Sequence, residues 1–121
     1  MAIRGVRGAI VVEQDYSDLI LAATREVLLA ILQANPSMSP VDLACIIFSV
    51  TSDLHSVFPA KAVRQMGWEN VPLMCCTEIQ VTDSLPFCIR ALLLWNTDLQ
   101  QGEISPVYIG KAKILRPDLT L

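Results

Sequence analysis

The sequence predicts an α+β fold, a mixed five-stranded sheet with helices packed on one face. Three observations carry this expectation. Five runs have the composition of strands and two stretches carry helix end signals, in the order β-α-β-α-β-β-β. The longer helical stretch is apolar over most of its circumference, so a sheet must cover one side and other sides must be partly buried. No repeat or low-complexity segment interrupts this order, and residues 1–121 form one domain.

The first strand covers 2–12, where Ile3, Val6, Ile10, Val11 and Val12 supply β-branched positions and two glycines predict a tight or bulged middle. Asp15 or Ser17 is placed to cap a helix running to about Ala34, which Asn35-Pro36 ends. Thr24, Arg25, Glu26 and Gln33 mark its wet side. Ser39 before Pro40 opens a short turn over 40–44, because proline suits the first helical position. The run "ACIIFSVTSD" follows as the second strand, without a charge until Asp53, which is a turn or cap residue. A loop leads to a short helix from Pro59 to about Met66, stopped by Gly67. The third strand is 71–79 and the fourth 88–97, after Pro86. The fifth is 106–115, where Gly110 shifts the alternation of Val107, Ile109 and Ala112 and predicts a bulge.

Composition narrows the class. Hydrophobic residues make up 53% of the 121, and the mean hydropathy is +0.49. A lone domain of this size has a high surface-to-volume ratio and would struggle to bury so much. The longest apolar stretch, 19–32, is broken by Arg25-Glu26 and falls short of the roughly 20 residues a bilayer requires. No secretory h-region follows the two early arginines. Self-association, not membrane, accounts for the surplus. The net charge is −3 and no basic run occurs, so nucleic acid is not expected as a partner. Cys45, Cys75, Cys76 and Cys88 lack paired spacing, and with one histidine they give no metal-ligand pattern. They are expected as reduced thiols in a cytoplasmic protein.

Two charges then stand out. Glu78 lies near the end of "VPLMCCTEIQV" and Arg90 inside "CIRALLLW", the two most apolar strands. Burying either alone is costly, so each needs a partner or a ligand. Arg7, Arg64, Arg116, Cys75 and Tyr108 are further candidates, and residues so dispersed can converge at one edge of a sheet. Several guanidinium forks with one carboxylate would suit a small polyanion bearing a hydroxyl. Each residue also has a plainer account. Arg90 and Glu78 can be a structural ion pair, Arg64 a solvated helix residue, Arg116 and Asp118 a terminal salt bridge, and His55 a surface residue.

The segments "IRGVRGA", "SDLHSVFPAKAVR", "VPLMCCTEIQV", "CIR", "VYIGKA" and "LRPDLTL" together resemble the monofunctional chorismate mutases of the Bacillus type, from Ile3 to Leu121. That resemblance implies a homotrimer whose sheets assemble into a barrel-like core with helices outside, and active sites between neighbouring subunits. It implies the Claisen rearrangement of chorismate to prephenate, without cofactor or metal. By position, Arg7 resembles the family's carboxylate-binding arginine of the first strand. Phe58, Ala60, Lys61 and Arg64 match the segment lining the substrate, and Leu73, Met74 and Cys75 match its floor. Glu78 is similar to the glutamate that accepts the substrate's ring hydroxyl, and Arg90 to the arginine at the ether oxygen. Tyr108 resembles a donor to a carboxylate, and Leu115 and Arg116 a C-terminal wall. The chain departs from the family at Met74, where a smaller polar residue is expected, and in ending at Leu121, which leaves little of the mobile tail that members can fold over the site.

A pericyclic rearrangement uses no nucleophile and transfers no proton, which agrees with the lack of a triad or an acid–base pair. Catalysis must come from holding the compact diaxial conformer and stabilising charge as the C–O bond stretches. Two other classes share an interfacial arginine in a trimeric α+β protein: a small imine or enamine hydrolase, and a module binding an anionic metabolite. "FPAKAVR" with "LRPDL" favours the mutase.

Overall fold

β1 (Ala2–Val11), α1 (Ser17–Ala34), β2 (Leu43–Val50), α2 (Ala60–Gln65), β3 (Leu73–Thr77), β4 (Cys88–Thr97) and β5 (Val107–Ile109) follow one another as expected. The structure is a computed structural model and describes residues 1–119; Thr120 and Leu121, the end of the predicted C-terminal segment, lie outside the described residues. The strands form one mixed sheet in the order β3-β2-β4-β1-β5. Central β4 runs antiparallel to β1 and β2, while β3 and β5 lie parallel to β2 and β1. A parallel pair needs a crossover, and α2 supplies it between β2 and β3.

Side chains alternate across each strand, so the register decides which share a face. Val6, Leu93 and Ile46 make one row, and Ile10, Ile89 and Val50 another. These rows, except half-buried Val50, are buried against the helices, with Ile20, Val27, Leu28 and Ile31 of α1 opposite them. Thr24 belongs to this buried stripe and not to the wet side, with no measurable exposure. Its hydroxyl donates to the Ile20 carbonyl at 2.7 Å, which satisfies the polar atom locally and frees the methyl to pack.

β1 carries no bulge: it pairs with β4 without interruption from Ala2 to Val11. The irregularity lies in β2, between Leu43 and Cys45. Gly8 serves close packing instead. A Cβ there would stand 2.6 Å from Ile31 Cδ1 and 3.2 Å from Val27 Cγ2. Neither Asp15 nor Ser17 caps α1, whose N-cap is Tyr16. The Asp15 carboxylate is taken by the backbone amides of His55 and Ser56, each at 3.0 Å, so it ties a distant loop to the helix start. At the other end, buried Asn35 does more than stop the helix. Its Nδ2 donates to the Ile31 and Ser105 carbonyls at 3.0 and 2.9 Å, and its Oδ1 accepts from the Ser105 amide at 2.9 Å.

Two expectations of extent change. β3 is shorter than 71–79, and Glu78 lies one residue beyond it. Gly67, at φ +81, does end α2. The fifth strand stops at Ile109 rather than bulging through to 115. Gly110 adopts φ +60, and residues 110–115 form a 3-10 segment packed on β1, with Ala112 fully buried. A positive φ that breaks the ladder turns the chain inward, so the later alternation serves a helix-like turn.

Candidate active site

The sheet face away from the helices carries the charges. One row crosses all five strands: Cys76 beside Ser49, Ser49 opposite Arg90, Arg90 opposite Ala9, and Ala9 beside Tyr108. Ala9 offers only a methyl between Arg90 and Tyr108. Arg7 lies on the same face, opposite Leu92. The odd-even logic of the strand therefore moves Arg90 out of the core, and its side chain is 48% exposed. Glu78 arrives from β3, its amide donating to the Val50 carbonyl at 2.8 Å.

Glu78 Oε1 meets Arg90 Nε at 3.4 Å and accepts a hydrogen bond from Ser49 Oγ. The ion pair exists, but its contact is longer than the 2.7–2.9 Å usual for a charge-assisted hydrogen bond. Beneath Arg90 lies Cys88, whose thiol is buried. Burial pushes its pKa up and Glu78 adds to this, against the opposing pull of the Arg90 charge. Cys88 and Ser49 were not singled out in the sequence. The signal was present for Cys88 alone, two residues before Arg90 in the same strand and so on the same face.

The C-terminal turn closes one side. Arg116 Nε and Nη2 donate to Asp118 Oδ1 and Oδ2 at 3.0 and 2.8 Å. These hydrogen bonds hold the Asp118 carboxyl below its usual range, and the charge of Arg7 adds to the effect. Asp118 raises Arg116 in turn, and Tyr108 contributes. Arg7, Tyr108 and Arg116 are thus within electrostatic reach of one turn, with half-buried Leu115 at its edge.

A second group gathers at the far edge of the sheet. Phe58, 69% exposed, shares a cleft of about 470 Å³ with Leu54, His55, Val57, Cys75 and Thr77. Of Leu73, Met74 and Cys75, only Cys75 lines this cleft. Successive strand residues face opposite ways, so Leu73 packs on the helix-side core while Met74 lies exposed on the open face. Ala60 is buried in α2, and Lys61 and Arg64 project to solvent. Met74 shares the open face with Arg90, but the cleft around Phe58 and Cys75 lies off that face within one chain. A larger cleft of about 770 Å³, between α1 and the 85–87 loop, holds none of the expected residues. His55 sits at the surface, its Nε2 3.2 Å from Asp15 Oδ2. Among the described residues, no three His, Cys, Asp or Glu side chains converge as metal ligands would, and no helix is long and apolar enough to cross a membrane.

The family model for chorismate mutase type I matches residues 3–119. Chorismate mutase AroH of Thermus thermophilus is 52% identical over 117 residues, covering 97% of this chain and 96% of that protein. Chorismate mutase AroH of Bacillus subtilis (strain 168) is 46% identical over 122 residues, covering 100% of this chain and 95% of that protein. Among solved structures, a chorismate mutase from Clostridium thermocellum superposes with a TM-score of 0.88 at 41% identity, over 91% of this chain and 97% of that one.

Proposed function

The chain belongs to the chorismate mutase type I family and is a chorismate mutase, an isomerase of aromatic amino acid biosynthesis; on that premise we propose that Arg90 and Glu78 are its catalytic pair. The reaction is the Claisen rearrangement of chorismate to prephenate. As the C–O bond stretches, the ether oxygen gains negative charge and the ring gains positive charge. Arg90 supplies fixed positive charge to the first, and the Glu78 carboxylate accepts the ring hydroxyl and lies near the second. Both are in place before substrate arrives, so little reorganisation accompanies the barrier. The rearrangement is intramolecular and needs no cofactor or metal.

The observation that carries this reading is the long, half-exposed contact between Glu78 and Arg90 on the open sheet face. A pair closed into a two-pronged fork would leave neither charge available to a ligand. Arg7 and Tyr108 hold the substrate carboxylates, and Leu115 and Arg116 wall the same side. Phe58, Ala60, Lys61, Arg64, Leu73, Met74 and Cys75 form the complementary half-site, contributed by a neighbouring subunit of a homotrimer. Two observations support that assembly: the cleft around Phe58 and Cys75 lies off the open face within one chain, and Ile3, Met74 and Leu92 stay exposed on that face. The four free cysteines suit a cytoplasmic enzyme.

The test is direct. Purified protein incubated with chorismate should consume its absorbance and yield prephenate in equal amount, with chelator making no difference. Hydrolysis of an imine instead, with chorismate untouched, would overturn the reading.

A further inference from the structure

We propose that Ser49 is a positioning residue that keeps the Glu78–Arg90 pair from closing, a role that rests on the catalytic reading of that pair. Ser49 stands on β2 directly opposite Arg90, and its hydroxyl donates to Glu78 Oε1. The same oxygen meets Arg90 Nε at 3.4 Å. Glu78 lies beyond the end of β3, so strand pairing does not fix its side chain; the Ser49 hydroxyl does.

The chain contains its own comparison. Among the described residues no hydroxyl donates to the Asp118 carboxylate, and Arg116 and Asp118 close into a two-pronged fork at 3.0 and 2.8 Å. Arginine and carboxylate left together adopt that geometry because two parallel N–H···O bonds are stronger than one. At Glu78 the serine occupies Oε1 and holds the carboxylate back from such a fork. Two consequences follow for an anionic substrate with a hydroxyl. The terminal guanidinium nitrogens of Arg90 are not committed to Glu78, and Glu78 Oε2 is left to accept from the substrate. A closed fork would neutralise the guanidinium internally and occupy both carboxylate oxygens.

Ser49→Val and Ser49→Thr test this as a pair, since both suit a strand and differ in little but the hydroxyl. Ser49→Val should lower kcat/KM for chorismate about ten- to a hundredfold, the worth of a hydrogen bond to a charged group. Ser49→Thr should restore most of it. Placed in a Glu78→Ala background, Ser49→Val should change kcat/KM by less than about twofold, because the residue acts only through Glu78. Equal activity of the two Ser49 variants, or an undiminished effect of Ser49→Val without Glu78, would overturn the inference. Equal loss of activity in both variants would do so too, since a packing role is then sufficient. A Glu78→Ala variant of normal turnover would instead sink the underlying site reading, and the single variants separate the two failures.

Discussion

Arg90 interrupts a strand otherwise made of Ile89, Ala91, Leu92, Leu93 and Leu94, and alternation alone places it on the open face. In the proposed mechanism its charge stabilises the ether oxygen as the C–O bond stretches. Replacing it with the neutral isostere citrulline should leave folding unchanged and lower kcat about a hundred- to a thousandfold, the usual loss for one preorganised charge-stabilising donor. Arg90→Lys should recover part, because a point charge cannot reproduce the fork. Glu78→Ala should reduce turnover far more than Tm, with Glu78→Asp between; a large fall in Tm with intact turnover would return the pair to a structural role. Asp15 carries a separate prediction. Burial raises its pKa, but the amides of His55 and Ser56, the Ser56 hydroxyl and the His55 charge together lower it below its ordinary value of 3.8. The folded state therefore holds the carboxylate more tightly than the unfolded chain does. Its stabilising contribution is complete above the unfolded pKa and is lost as pH falls through the folded one. Asp15→Asn should flatten the acid limb of Tm against pH below about 4, measured by thermal unfolding at a series of pH values.

Among the elements, β1 and α1 meet where Gly8 lets Val27 and Ile31 approach the strand backbone. Ile31 and Val27 are both fully buried, so neither can swing aside into solvent. Gly8→Ala should therefore destabilise by about 1–3 kcal/mol, the cost of overfilling a packed core, read as a lower urea midpoint with unchanged m-value. β5 is the element the sequence describes least well. Its three residues pair with Gly8, Ala9 and Ile10, and the buried Asn35 clamp on Ser105 sets where it begins. That clamp spans 70 positions, and no local pattern announces it.

For the whole molecule, the open face of the sheet joins charge and apolar surface. Leu92, Met74 and Ile3 are 38%, 59% and 54% exposed there, an expanse that a folded monomer seldom leaves to water. Light scattering should return about three times the chain mass of 13.3 kDa. Leu94→Glu, between Gly5 and Cys45 on that face, should yield folded but smaller species without mutase activity. A fully active monomer would remove the shared-site arrangement, because Phe58 and Cys75 would then have no route to Arg90.

The order of elements, the end of α2 at Gly67, the turn residue Asp53 and the unusual charges Glu78 and Arg90 were legible in the chain, since each follows from local periodicity or backbone chemistry. Resemblance named Arg7, Arg90, Tyr108 and Glu78 as candidates, and strand alternation puts Arg7, Arg90 and Tyr108 on one face of the sheet. Tertiary structure alone decided the rest. Thr24 is buried because the sheet packs over that side of α1, a burial its hydroxyl tolerates by donating to the Ile20 carbonyl. Asp15 serves a loop rather than a cap because its carboxylate accepts from the His55 and Ser56 amides, 40 and 41 positions away. Ser49 stands opposite Arg90 only once β2 and β4 have paired in a particular register. Local sequence sets which faces are apolar, but register is chosen by contacts between segments far apart in the chain, and it is register that decides which side chains share a site.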